Sequence, residues 1–125
     1  MNVVLQAQNA YKTQTRTIRT DRDTEYYTFA RVTYAIKTAA QRGAAGFADL
    51  ALALHDNRRL WTVLAADVAE DDNPLPPELR ARIVYLAEFT RQYSSRVLNG
   101  GASPAPLIEI NSAIMQGLRE RRGAP

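Results

Sequence analysis

The residues with the most chemical potential in this chain lie in one short segment. The only histidine, His55, and the only tryptophan, Trp61, are six residues apart, and the four residues after His55 are all polar, DNRR. Tryptophan is not typical of a surface helix, and a core helix does not normally interrupt its apolar face with four polar residues. We therefore expect a helix on which a core anchor lies beside a concentrated set of hydrogen-bonding groups. This combination favours recognition over catalysis.

A catalytic role for His55 would depend on Asp56, which could orient the imidazole of a general base. Adjacent residues of a helix point about 100° apart, so the pair cannot hold that geometry by itself. The favoured interpretation is a helix-face histidine bonded to a neighbouring backbone or carboxylate group. The sequence has no nucleophile elbow beside His55 and no glycine-rich phosphate loop. We predict no catalytic residues and do not expect an enzyme.

Metal binding has little support in the sequence. With one histidine and no cysteine, a zinc site would need an unusual set of carboxylate ligands. Asp71, Asp72 and Asn73 could begin a cation-binding loop, but the twelve-residue ligand pattern with its closing glutamate is missing. These residues are better interpreted as helix caps that also keep the loop soluble. We expect neither a metal nor another cofactor.

Length, charge and hydropathy indicate one domain, residues 1–125, of ordinary globular composition. The chain is 46% hydrophobic and carries a net charge of +3, and a domain of this length buries roughly two thirds of its unfolded surface. The charges are mostly interspersed, whereas a nucleic-acid-binding domain usually has a focused basic face. No segment resembles a signal peptide or approaches the ~20 apolar residues of a membrane span. Together with the absence of cysteine, this predicts a cytoplasmic protein without membrane insertion.

Apolar residues recur at helical spacing throughout, and no stretch alternates at the strand period. The sequence therefore predicts an all-α fold, a single small bundle of about five helices. Residues 1–19 include a weak, polar first helix at 4–17, and residues 119–125 form a frayed basic tail. A capping box at Thr20 precedes the second helix, which ends near Gly43. Its predicted apolar face consists of Tyr26, Phe29, Ala30, Thr33, Ile36 and Ala40.

Three further helices are predicted from their apolar faces and end signals. The third begins at Ala45 or Gly46 and runs for about 25 residues to the proline-rich loop 71–77; the fourth spans residues 78–98; the fifth begins at Ser103-Pro104. The predicted face of the third helix is Phe47, Leu50, Ala51, Leu54, Trp61, Leu64, Ala65 and Val68. That of the fourth is Leu79, Ile83, Leu86, Ala87, Thr90, Tyr93 and Val97, and that of the fifth is Leu107, Ile110, Ile114, Met115 and Leu118.

The arginines and aromatic residues leave several interpretations open. Arg58 and Arg59 could form a solvated basic face, donate hydrogen bonds inside the bundle, or bind acidic or backbone groups of a partner. Trp61 is more typical of a core anchor than of a ligand contact. The tyrosines fall on different helix faces, so some must reach the surface: Tyr26, Tyr27, Tyr34, Tyr85 and Tyr93.

Five blocks of the sequence stand out together: YYTFARVT at 26–33, HDNRRLWTVLAADV at 55–68, LPPELRAR at 75–82, LAEFTR at 86–91 and PLIEIN at 106–111. In this order they resemble the FlaF family of flagellar biosynthesis regulators from flagellated alphaproteobacteria. The similarity extends over nearly the whole chain and is strongest from residue 20 onward. Several long blocks in one order are far more specific than a single short motif.

The resemblance implies a regulator that is needed for flagellin production and that binds flagellin subunits to assist their synthesis and export. Such proteins act alongside a second regulator, FlbT, which acts on flagellin messenger RNA. The family has no established catalytic residues, so none is carried over. The expected partner is flagellin, with FlbT as a further candidate, and direct binding to nucleic acid is not expected.

A chaperone function is physically reasonable for a small helical bundle. Flagellin has terminal segments that form amphipathic helices, and an apolar groove with a polar rim can cover such a helix. The weak helix at 4–17 is a candidate for a displaceable lid over that groove. The alternative hypothesis is direct binding of flagellin messenger RNA through the arginines, which would weaken steeply with salt. The predicted recognition and support set is Asn57, Arg58, Arg59, Trp61, Phe89, Arg91 and Asn111, of which Trp61 and Phe89 are also candidates for the core.

Overall fold

The computed structural model describes residues 21–123, with side chains over 26–117. It contains helix α1 (Asp21–Gln41), a 3-10 turn (Gly43–Gly46), α2 (Phe47–Ala69), α3 (Pro77–Leu98) and α4 (Ala105–Gly123), and no strand within these residues. The prediction of an all-α helical bundle is confirmed. The predicted helix at 4–17 and the Thr20 cap lie outside the described residues.

The four helices form an up-and-down bundle in which consecutive helices are neighbours. Helix α1 packs closely against α2, α2 against α3, and α4 returns to pack along α1. Helices α3 and α4 also lie side by side, but they approach each other at far fewer points than the other neighbouring pairs. The bundle is therefore least tightly closed along the α3–α4 side.

The helix ends follow the local signals in the sequence. Gly100 takes a φ of 80° after α3, a conformation that suits glycine at a helix C-terminus. The Ser103 hydroxyl accepts a hydrogen bond from the Ala105 amide at 3.1 Å, as a capping residue does, but α4 begins at Ala105, one residue later than predicted. Helix α3 begins at Pro77, one residue earlier than predicted, because the fixed φ of proline suits the first helical position.

The loop between α2 and α3 satisfies the carbonyl groups at the end of α2. The Asn73 amide donates to the carbonyl of Asp67 at 3.2 Å, and its oxygen accepts the Leu75 amide at 3.0 Å. Arg80 reaches back from α3 and donates to the carbonyls of Val68, at 2.7 Å, and Glu70, at 2.8 Å. These bonds compensate for the missing intrahelical partners at a helix C-terminus. The predicted capping function is confirmed for Asn73.

Two apolar clusters fill the bundle. One contains Val32, Ile36, Ala53, Leu54, Val97 and Leu107; the other contains Phe29, Trp61, Leu64, Val68 and Ile83. The predicted faces supply every member except Val32 and Ala53. Phe47 does not belong to the core, since 51% of it is exposed. It is the first residue of α2 and lies one turn before Leu50, with which the packed part of this face begins.

The surface carries several apolar side chains. Tyr27, Tyr34 and Tyr85 are all more than half exposed, which confirms that some tyrosines reach the surface.

None of the helices over residues 21–123 is long and apolar enough to cross a membrane.

Gly46 allows the close approach of α1 and α2 where the chain turns. A Cβ added there would overlap the carbonyl oxygen of Ala39 and lie 2.9 Å from the Cβ of Arg42. We predict that Gly46→Ala lowers the free energy of unfolding by about 1–3 kcal/mol, the usual cost of forcing extra atoms into a packed site. Urea denaturation measures this. Gly101→Ala is the control, since its added Cβ would lie at an ordinary 3.7 Å from the Arg96 carbonyl; equal losses for both variants would refute the explanation.

Candidate partner-binding site

A buried hydrogen-bond network joins three helices at the centre of the bundle. The carboxamide oxygen of Asn111, on α4, accepts the indole N–H of Trp61, on α2, at 2.9 Å. Its nitrogen donates to the side-chain oxygens of Asn57, on α2, at 2.8 Å and Thr33, on α1, at 3.1 Å. All four residues are at least 93% buried. Asn111 thus uses both its acceptor and its two N–H donors in an environment from which water is excluded.

The network and the buried polar residues of α3 together form what we call the polar layer, but α3 is not hydrogen-bonded to the network. The α3 residues Thr90 and Ser94 are buried, and the Ser94 hydroxyl donates to the Thr90 carbonyl within the same helix. The Thr90 hydroxyl and the Asn57 Nδ2 have no hydrogen-bond partner among the described residues. The network therefore ties α1, α2 and α4 together and leaves α3 out.

Trp61 is a core residue, as its residue type predicted. It is 1% exposed, and its ring meets the ring of Phe29 edge to face, with centroids 5.5 Å apart and planes at 83°. This geometry places the positive edge of one ring against the negative face of the other. Trp61 thus anchors α2 against α1 by packing and against α4 by its hydrogen bond.

The two neighbouring arginines have different environments. Arg58 is half-buried and crosses from α2 to α3, where it donates to the Arg91 carbonyl at 2.8 Å and to the Ser95 hydroxyl. Arg59, one residue later and about 100° further around the helix, is exposed. Of the three interpretations, bonding inside the bundle is the correct one for Arg58. Together with Arg80, it attaches α3 to α2 from the edge.

Arg91 points outward from α3 and forms an ion pair with Glu88. Its Nη2 lies 2.6 Å from one carboxylate oxygen and its Nε lies 3.1 Å from the other. The hydrogen bonds from Arg91 and then from Gln92 lower the pKa of Glu88 to about 2. The pair is exposed, so solvent screens it and it contributes little to stability.

Phe89 belongs to an aromatic group on the other side of α3. It is half-buried, and its ring stacks on the ring of Tyr93 with centroids 5.3 Å apart. The Tyr93 hydroxyl donates to the carbonyl of Ser103, immediately before α4, at 2.7 Å, and the guanidinium of Arg96 lies 5.5 Å from the Tyr93 ring centroid. This group therefore faces the α3–α4 side of the bundle.

The structure divides the predicted set in three, with Arg58 by itself as the residue bonded between α2 and α3. Asn57, Trp61 and Asn111 come together in the core, where they support the fold and a partner on the closed bundle cannot reach them. Phe89, Arg91 and Arg59 are accessible but lie on three different faces, and for them partner contact stays a prediction. The predicted set did not include three other buried polar residues: Thr33, which bonds to Asn111, and Thr90 and Ser94 of α3, which do not bond to the network. Their signal is a polar residue at a position of the buried helix face, a pattern repeated on all four helices.

His55 and Asp56 are both exposed on α2. Within residues 21–123, no three histidine, cysteine, aspartate or glutamate side chains converge as metal ligands.

Comparison with known proteins identifies one family. The model described as flagellar protein FlaF matches residues 7–118, most of the chain. No curated protein and no solved structure matches.

We predict that Asn111→Ala destabilises the bundle by about 2–4 kcal/mol. The substitution leaves the buried Trp61 N–H without its acceptor, removes both Asn111 donors and creates a small cavity. Chemical denaturation followed by circular dichroism measures the loss. Ser112→Ala, which removes an exposed intrahelical bond on the same helix, is the control and should change stability by less than ~1 kcal/mol. An Asn111→Ala variant as stable as the wild type would contradict the network.

We further predict that Arg58→Ala and Arg59→Ala have separable effects. Loss of the Arg58 guanidinium removes the bonds to α3 and should lower stability by roughly 1–2 kcal/mol. Arg59→Ala, at an exposed position, should leave stability within ~0.5 kcal/mol of the wild type. Thermal melts of both single variants test this, and equal melting temperatures would contradict the assignment of Arg58 to a structural function.

Proposed function

The chain belongs to the FlaF family of flagellar proteins, and on that premise we propose that it is a cytoplasmic, non-enzymatic chaperone that binds flagellin. In this function it supports the synthesis and secretion of flagellin and regulates flagellum assembly, alongside FlbT. The observation that carries the proposal is the combination of a hydrogen-bonded core with an incompletely covered apolar side.

The core supplies a stable scaffold for binding. The network around Asn111 fixes how α1, α2 and α4 sit against each other, because a shift of one helix would leave the bonded groups of Asn111, Trp61 and Thr33 buried without partners. A chaperone that delivers a subunit to an export machinery needs a surface whose shape persists between binding events. Preorganisation of this kind limits the entropy lost on binding.

The α3–α4 side of the bundle supplies the apolar surface for binding. Leu79, Leu86 and Phe89 on α3 are half-buried: Leu79 and Leu86 pack against the second apolar cluster and still keep part of their surface exposed. Helix-in-groove recognition uses such a surface to bind the apolar face of an amphipathic helix. A flagellin terminus offers such a helix, and covering it would prevent premature assembly.

The alternative function, binding of flagellin messenger RNA through arginines, has weaker support. Arg58 and Arg80 donate their hydrogen bonds inside the bundle, and Arg91 is paired with Glu88. Among the described residues, the remaining unpaired exposed arginines are spread over α1, α2 and α3; Arg82 and Arg96 share a face of α3 but are 14 residues apart, which is not a focused basic face. Phosphate recognition would require that clustering.

Co-purification separates the two functions. We expect the full chain to form a stoichiometric complex with purified flagellin that survives an increase from ~0.15 to ~0.5 M salt, because apolar contacts are not screened. The flagellin transcript leader, offered separately at the lower salt, should not be retained. Retention of the transcript without a flagellin complex would reject the chaperone in favour of the alternative.

A further inference from the structure

One side of α3 carries a continuous row of apolar and cationic side chains. Arg82, Leu86, Phe89, Tyr93 and Arg96 follow each other at the i, i+4, i+7 spacing that places residues on one helix face. We call them the α3 row. The hydrogen bond from Tyr93 to the Ser103 carbonyl locates this row on the side toward α4.

The opposite side of α3 is already occupied by α2. Arg80 bonds to the end of α2, and the Arg91 carbonyl and the Ser95 hydroxyl accept the guanidinium of Arg58. Within the α3 row, Tyr93 bonds to the Ser103 carbonyl, and Leu86 and Tyr93 pack against the apolar clusters, but among the described residues no side chain of another helix hydrogen-bonds to the row. Arg82 and Arg96 are exposed, whereas Leu86, Phe89 and Tyr93 are half-buried.

A second row lies on α4 and has short side chains. Pro106, Ile110, Ala113 and Gly117 repeat at the same helical spacing, and Ile110 packs against the second apolar cluster, to which Ile83 of α3 belongs. We call them the α4 row. Since α3 and α4 approach each other at few points, we call the boundary between the two rows the seam.

Gly117 is the unusual member of the α4 row. Glycine inside a helix is less stable than alanine, because it loses more backbone freedom on folding. A Cβ added at Gly117 meets no atom within 4 Å in the described structure, so no packing contact within it explains the missing side chain. Glycine does, however, let another backbone approach the helix closely.

The charges at the seam point to the kind of partner. No acidic side chain of the described residues lies within 4 Å of the Arg82 or Arg96 guanidinium, whereas Arg42 and Arg91 both have one. The α4 row has no charged member. The seam therefore has a cationic edge on α3 and a small, apolar edge on α4.

We infer that the seam between the α3 row and the α4 row is the docking site for an amphipathic helix with acidic residues along one edge. The inference rests on the proposed function, which makes this helix a segment of flagellin. Its acidic edge meets Arg82 and Arg96, its apolar face covers Leu86, Phe89 and Tyr93, and its backbone passes close to Gly117. Arg82 and Arg96 are 14 residues apart, about 21 Å along the axis, so the docked helix has about four turns.

Two seam variants and two matched controls test the inference with the full chain and purified flagellin. Gly117→Leu fills the space beside α4, and the double variant Arg82→Glu with Arg96→Glu reverses the cationic edge. The controls lie on the outer face of α2, where both residues are exposed: Ala66→Leu also introduces a leucine, and Arg59→Glu reverses one positive charge. We expect each seam variant to raise the dissociation constant at least tenfold and each control to bind like the wild type.

The outcomes are distinguishable. If the wild type does not bind flagellin, the proposed function itself fails. If the wild type and the seam variants bind equally well, or if the controls weaken binding as much as the seam variants, the docking site is elsewhere.

The free protein supplies a further test of what fills the seam. Because a Cβ added at Gly117 meets no atom within 4 Å among the described residues, and leucine has the higher helix propensity, Gly117→Leu should keep or raise the melting temperature and helicity. A lowered melting temperature would mean that another segment of this chain occupies the seam. A shift from dimer to monomer with unchanged flagellin binding would make it a self-association surface. Either result overturns the inference.

Discussion

The buried carboxamide of Asn111 sets the condition that the rest of the bundle must meet. An amide removed from water destabilises the fold unless its oxygen and nitrogen both find partners, and these partners come from two other helices. Sliding α4 along α1 by one turn would break the bonds to Trp61, Asn57 and Thr33 together. Apolar contacts alone tolerate such shifts more easily, since they have no directional requirement. The polar layer therefore fixes the register that the two apolar clusters fill.

Because α3 is outside this network, its attachment has a different physical character. Arg58 and Arg80 hold it to α2 through carbonyl groups at the bundle edge, and Tyr93 holds its C-terminal half near the start of α4. The bundle thus combines three helices locked at the centre with a fourth fixed along one side. The side where α3 meets α4 is therefore held by contacts at the edge of the bundle and not by the polar layer.

Much of the fold could be predicted from the sequence, because its signals are local. Glycine at Gly43 and Gly100, the cap at Ser103 and proline at Pro77 mark helix ends within a few residues. The polar network could not be predicted, since its partners lie 50 to 78 residues apart. Arg58 and Arg59 show the same limit at short range. They are adjacent on α2, yet Arg58 donates hydrogen bonds inside the bundle and Arg59 is exposed to solvent. Membership of the family could be predicted from the order of the sequence blocks. The small number of contacts between α3 and α4 could not, because it depends on tertiary packing.

The burial of the single tryptophan gives this protein a built-in optical probe. Indole emission moves to longer wavelength when water reaches the ring, and all of the tryptophan emission comes from Trp61, at the hydrogen-bonded centre. A helix that binds at the surface leaves this ring dry, whereas a partner that enters the core by separating the helices would expose it. The wavelength of emission can therefore distinguish surface docking from opening of the bundle, without any added label.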